Sequence, residues 1–156
     1  MKSSRFEPLD RMPRDIDCAL IDVNLDGALD CLLVGSQSLL MAFNARTGKS
    51  FWSMDPHSSS QLPVDMDFPL ILPDMDGDGV PELAVSCGLV EAAGNNLPDR
   101  KILHNAIAMI SGKTGKVIGA PNVVSDCESV QGLSLDRNWL ISFTCQDAVA
   151  KGKSIL

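Results

Sequence analysis

The chain has 156 residues, 45% of them hydrophobic, and a formal net charge of −7. That is enough apolar material for a core, yet no run approaches the roughly 18 apolar residues of a membrane-spanning helix. The acidic balance, with no basic stripe interleaved with aromatics, argues against a nucleic-acid partner.

In chain order, residues 1–13 read as an N-terminal segment. Arg5, Arg11, Arg14 and three Asp within the first twenty residues leave no apolar stretch for a signal peptide. A first unit, residues 14–55, then opens with the apolar run Cys18-Ala-Leu-Ile21. Next come the acidic stretch Asp22-Val-Asn24-Leu-Asp26-Gly27-Ala28-Leu-Asp30 and a second apolar run, Cys31-Leu-Leu-Val34. Oxygen-bearing side chains at loop positions 1, 3, 5 and 9, a Gly at 6 to turn the backbone and a carbonyl at 7 suit one hard cation, Ca²⁺ above others. The candidate ligands are Asp22, Asn24, Asp26, the Ala28 carbonyl and Asp30. An EF-hand begins in the same way but requires a bidentate Glu at position 12, where this chain has Leu33. Short runs of Val, Ile and Leu on both flanks predict strands instead of helices. The loop is followed by Leu39-Leu-Met-Ala-Phe43 and by Asn44-Ala-Arg-Thr47-Gly48-Lys49, a strand and a tight turn whose Gly supplies positive φ.

Residues 56–68 read as an inter-blade linker through Ser58-Ser-Ser-Gln-Leu-Pro63, with Asp65 and Asp67 either as outer solvation of the site that follows or as ordinary turn polarity. A second unit, residues 69–120, repeats the design. Asp74-Met-Asp76-Gly-Asp78-Gly79-Val80-Pro-Glu82 stands between Pro69-Leu-Ile-Leu72 and Leu83-Ala-Val-Ser-Cys87. Its candidate ligands are Asp74, Asp76, Asp78, the Val80 carbonyl and Glu82, and its position 12 is Val85. A strand, Ala106-Ile-Ala-Met-Ile110, and a Thr114-Gly115-Lys116 turn follow. From loop end to Thr-Gly the spacing is longer in the second copy, which reads as an inserted surface loop over residues 90–104. Together the two loops hold seven carboxylates, so much of the net charge is concentrated there.

Residues 121–156 read as part of a third unit and a truncated end. Val130 to Leu135 and Trp139 to Thr144 read as strands around the turn Asp136-Arg-Asn138, with no closing strand over Gly152 to Leu156. Five cysteines exclude a complete set of internal disulfides. A hairpin closed at Asp136–Asn138 places Cys127 nearly opposite Cys145 and favours that pair. The register set by the first loop puts Ile21 opposite Cys31, so Cys18, Cys31 and Cys87 read as small apolar core residues. Trp52 and Trp139 read as blade-packing residues. The two histidines, His57 and His104, read as solvated loop residues, and no serine occupies a Gly-x-Ser-x-Gly elbow. No catalytic constellation emerges.

Repeats of about 50 residues with four short strands each are the signature of β-propeller blades. The predicted fold is all-β: a partial propeller of two four-stranded blades and part of a third. On the two acidic loops and their flanks, the chain resembles the FG-GAP repeats of the integrin α-subunit propeller. It departs from them in having Val34-Gly35 and Cys87-Gly88 in place of Phe-Gly. It is also similar to the single-pass membrane proteins described as integrin-α FG-GAP-repeat-containing. That resemblance implies two structural Ca²⁺ ions, protein partners, no enzymatic activity and an extracytoplasmic location attached to a membrane through a segment outside this chain. The Thr-Gly-Lys turns also look like those of quinoprotein propellers, leaving a dehydrogenase fragment and a calcium-free scaffold as alternatives.

Overall fold

The computed structural model describes residues 12–54, 61–91, 102, 104–146 and 153–155. Among them every regular element is a β-strand, and every strand pairing is antiparallel. The first sheet is a meander of β1 (Pro13–Ile21), β2 (Asp30–Gly35), β3 (Leu40–Phe43) and β4 (Ser50–Ser53), in that order. The second has the order β5 (Gln61–Val64), β7 (Leu83–Glu91), β8 (His104–Ile110), β9 (Asn122–Val124), with β6 (Leu70–Ile71) also paired to β7. The third comprises β10 (Ser129–Leu135), β11 (Ile141–Gln146) and β12 (Lys153–Ile155). Consecutive up-and-down sheets stacked by their faces make a partial β-propeller, as the repeat length predicts.

Alternation along the strands decides which residues hold the sheets together. Leu32 and Val34 on β2, Leu40 and Ala42 on β3 and Trp52 on β4 project toward the second sheet. There they share one cluster with Leu83, Val85, Cys87 and Leu89 on β7 and Ala106, Ala108 and Ile110 on β8. The alternate residues of the second sheet, Ala84 and Ile107, join Leu72 and Val130 against the third sheet, with Leu133, Leu135 and Phe143 packed around them. The middle sheet is therefore covered on both faces, which is why β7 reads as a nearly unbroken apolar run. Polar contacts stitch the same seam: Arg14 on β1 donates from Nη2 to the Met66 carbonyl at 2.8 Å.

Several local expectations are corrected. Gln61–Val64, read as linker, forms β5 and pairs with β7 from Val64↔Gly88 to Gln61↔Glu91. The cause is the length of β7: its nine residues extend well past the two that β6 can pair, and β5 completes that edge. The predicted insertion over residues 90–104 overlaps the strands at both ends, since β7 reaches Glu91 and β8 begins at His104. Most of the residues between lie outside the described set. Lys153–Ile155, expected to be without a strand, pairs with β11.

The third hairpin also differs. Its connection covers residues 136–140, and Asp136 closes it by accepting from Asn138 and Leu140 amides at 2.7 and 2.9 Å. This Asx-type turn draws Trp139 out of the strand. Trp139 sits at φ 63° and is 67% exposed, so it packs no blade, whereas Trp52 is buried as expected.

Cys18 and Cys31, read as independent core residues, form a disulfide. Ile21 pairs with Asp30 and not with Cys31, and a bulge between Asp17 and Ile21 resets the ladder to Asp17↔Leu32 and brings Cys18 beside Cys31. Cys127 and Cys145 are also bonded, as expected, although Cys145 pairs across the ladder with Val130 and Cys127 lies in the turn before β10. Cys87 is a free thiol, buried between the first two sheets, and that burial pushes it up to about 12.

Candidate divalent-cation loops

Both acidic stretches connect strands, from β1 to β2 and from β6 to β7, and are folded by their own side chains. In the first, Asp22 accepts the Asp26 amide at 3.2 Å and the Gly27 amide at 2.8 Å. Asp26 accepts the Ala28 amide, and the Asn24 amide nitrogen donates to its other oxygen at 2.9 Å. These two bonds, with Arg46 nearby, hold the Asp26 carboxyl below the usual carboxylate range. Asp30 closes the loop from below: it is buried and accepts the Val23 amide at 2.8 Å.

The second loop reproduces this scheme position by position. Asp74 accepts the amides of Gly77, Asp78 and Gly79, the last at 2.8 Å. The Gly79 bond above all keeps the Asp74 carboxyl ionised below its ordinary range. Asp76 accepts the Asp78 amide and Asp78 accepts the Val80 amide. Gly77 and Gly79 both have positive φ, 79° and 87°, which the reversal of the chain toward Asp74 requires.

The two loops part company at position 9. Glu82 is one methylene longer than Asp30, wholly buried, and accepts the Met75 amide through Oε2. Among the described residues its Oε1 has no hydrogen-bond partner. Carboxylate oxygens of Asp74, Asp76, Asp78 and Glu82 all lie within 4.8 Å of one another. Four negative groups so close, one of them a buried oxygen without a proton donor, are a poor arrangement without a compensating cation. All-oxygen donors of this kind suit Ca²⁺, which tolerates irregular shells, better than softer metals. The four side chains therefore fit the ion that the loop pattern implies. Asp22, Asp26 and Asp30 are not drawn into a comparable group in the first loop, where Asn24 donates a hydrogen bond to Asp26 instead.

Asp65 and Asp67, read either as outer solvation of the second loop or as turn polarity, line a separate cavity with Ser86, Asn105 and Glu128. There the Ser86 hydroxyl donates to Asp67 at 3.2 Å. Of the two histidines, His104 begins β8 and is exposed, while His57 lies outside the described residues.

What spacing did not predict is the contact between the second loop and the first blade. Val80, whose carbonyl is the position-7 ligand candidate, buries its side chain with Ile21, Val23 and Trp52. A Cβ on Gly112 would overlap the Pro81 carbonyl and come within 2.8 Å of Ile21 Cδ1, and one on Gly115 would overlap the Trp52 ring. Trp52 Nε1 donates to the Gly112 carbonyl at 2.8 Å. The only sequence signal for this is the Gly pair of Ser111-Gly-Lys-Thr-Gly115.

Comparison with known proteins agrees with this architecture. Residues 7–138 match the family described as the FAM234A/B beta-propeller. Protein FAM234B of Homo sapiens is 34% identical over 110 residues, 69% of this chain and 16% of the human protein. The Mus musculus protein FAM234B is 33% identical over 116 residues, 73% of this chain. The Gallus gallus counterpart is 29% identical over 117 residues, 72% of this chain. This chain thus spans a small part, 16 to 17%, of the length of each relative it matches. No solved structure matches it significantly. With the consecutive antiparallel sheets already described, these matches place the chain in the FAM234A/B beta-propeller family.

Proposed function

We propose that this chain is a calcium-stabilised, non-enzymatic part of a propeller whose rim loops serve protein recognition. The observation that carries the reading is the convergence of Asp74, Asp76, Asp78 and Glu82, with carboxylate oxygens within 4.8 Å of one another, together with the buried Glu82 Oε1 that has no hydrogen-bond partner among the described residues. The Asp74 loop is the stronger site, because it offers four carboxylates. The Asp22 loop, with three and the amide of Asn24, is the weaker. Bound there, Ca²⁺ supplies positive charge and coordination, not chemistry. The chain's own residues hold the loop shape, with backbone amides on Asp74 and Asp78 and the buried Glu82 at its base.

The FG-GAP likeness of the loops supports an extracytoplasmic protein attached to a membrane outside this segment. No helix among the described residues is long and apolar enough to cross a membrane. Calorimetric titration of the 156-residue chain with CaCl₂ tests the reading. Saturable heat whose stronger component disappears in Glu82→Gln is expected, with Kd of about 10⁻⁴–10⁻³ M, the range of extracellular modules. The absence of saturable heat in the unsubstituted chain overturns it.

A further inference from the structure

The geometry points to a mechanical link between the Asp74 loop and the seam joining the first two blades, so that divalent-cation binding in the loop tightens the packing of Trp52. This inference rests on the calcium reading above and adds a regulated element to it.

The link consists of five contacts. Asp78 accepts the Val80 amide at 2.9 Å, which ties a ligand carboxylate to the backbone of Val80. Val80 is 0% exposed and shares its cluster with Ile21, Val23 and Trp52 of the first blade. Pro81, between Val80 and Glu82, sets its carbonyl so close to Gly112 that no Cβ fits between them. Gly112 in turn accepts the Trp52 indole proton, and Gly115 lies under the indole ring. Val80 and Pro81 are thus bracketed by two ligand carboxylates, Asp78 and Glu82, on one side and by the seam on the other. Any cation that satisfies Glu82 Oε1 and draws Asp78 toward it fixes the segment against which Gly112 and Trp52 pack. Loop tips meet as well, for a Cβ on Gly79 would lie 3.1 Å from Leu25 Cδ1 of the first loop.

The contact is specific to this seam. The first-blade turn, Asn44 to Lys49, has the same backbone hydrogen bonds as the turn from Ser111 to Lys116. Gly48 and Gly115 donate to the carbonyls of Asn44 and Ser111 at 2.8 Å in each case. Yet nothing lies within 4 Å of a Cβ built on Gly48. Only the second-blade turn is both covered by a Trp and seated on a cation loop.

Binding and packing that are coupled in this way are coupled reciprocally. The chain has two Trp, so Trp139→Phe leaves Trp52 as the sole reporter without touching the seam. In that variant, Ca²⁺ titration followed by calorimetry and by tryptophan emission should give the same midpoint for the stronger, Asp74-loop component. Trp52→Phe, which keeps an aromatic ring but removes the indole donor, should weaken Ca²⁺ binding about fivefold or more, the lower end of typical coupling. Saturable heat with unchanged Trp52 emission overturns the link and leaves the calcium site standing. Saturable heat with unaltered affinity in Trp52→Phe does the same. No heat in the unsubstituted chain overturns the site and the link together.

Discussion

Cys18 and Cys31 face each other across β1 and β2, their Cα atoms 3.9 Å apart, and close a disulfide at the base of the Asp22 loop. The bulge between Asp17 and Ile21 is what brings them together. The first loop therefore has a covalent clamp at its base, whereas the second has the buried Glu82, whose Oε1 has no hydrogen-bond partner among the described residues.

Removing that clamp should destabilise the first blade. The bond joins residues 13 apart, and loops near this size are stabilised by about 3 kcal/mol through restriction of the unfolded chain. Cys18→Ser together with Cys31→Ser should lower the urea midpoint by a corresponding amount. The second-loop calcium heat should persist.

Thiol chemistry gives an independent check. With two disulfides, Cys87 is the free cysteine, and its burial makes the thiolate costly. A thiol reagent at pH 8 should label none of the native chain and one cysteine in denaturant. Because the folded thiol is pushed up to about 12, the unfolded chain loses this proton first as pH rises. The contribution is intact below about pH 9 and declines between there and about pH 12, so stability should fall over that window.

The two tryptophans should respond oppositely to truncation. Trp52→Ala removes a ring packed between blades and its bond to Gly112, and should cost about 3–5 kcal/mol in equilibrium unfolding. Trp139→Ala, in an exposed turn, should change stability by no more than about 0.5 kcal/mol.

Calcium should act on stability through the same carboxylates. At free Ca²⁺ ten times Kd, one site adds about 1.4 kcal/mol by mass action. Asp78→Ala should therefore lower the melting temperature more in Ca²⁺ than in EDTA. Equal losses in both buffers would assign Asp78 to the turn alone, through its bond to the Val80 amide.

How much was legible follows from the range of each interaction. The acidic loops, the strands beside them and the Thr-Gly-Lys turns are local features. Asp74 meets Gly79 and Asp78 meets Val80 within five residues, so spacing alone is sufficient to place them. Trp139 was misplaced because Asp136, with two amides to accept, pulled the connection two residues longer than the turn composition suggests.

By itself the sequence determined the all-β class and the repeated acidic loops between strands, and favoured the Cys127–Cys145 pair, because period-two alternation and turn chemistry act over a few residues. Tertiary structure alone decided the rest. The Cys18–Cys31 bond required a bulge with no signature in the residues around it. The strand β5 formed because β7 outruns β6. The burial of Glu82 and the seating of Val80, Pro81 and Gly112 under Trp52 arise only when two sheets pack, since those partners lie up to 60 residues apart in the chain.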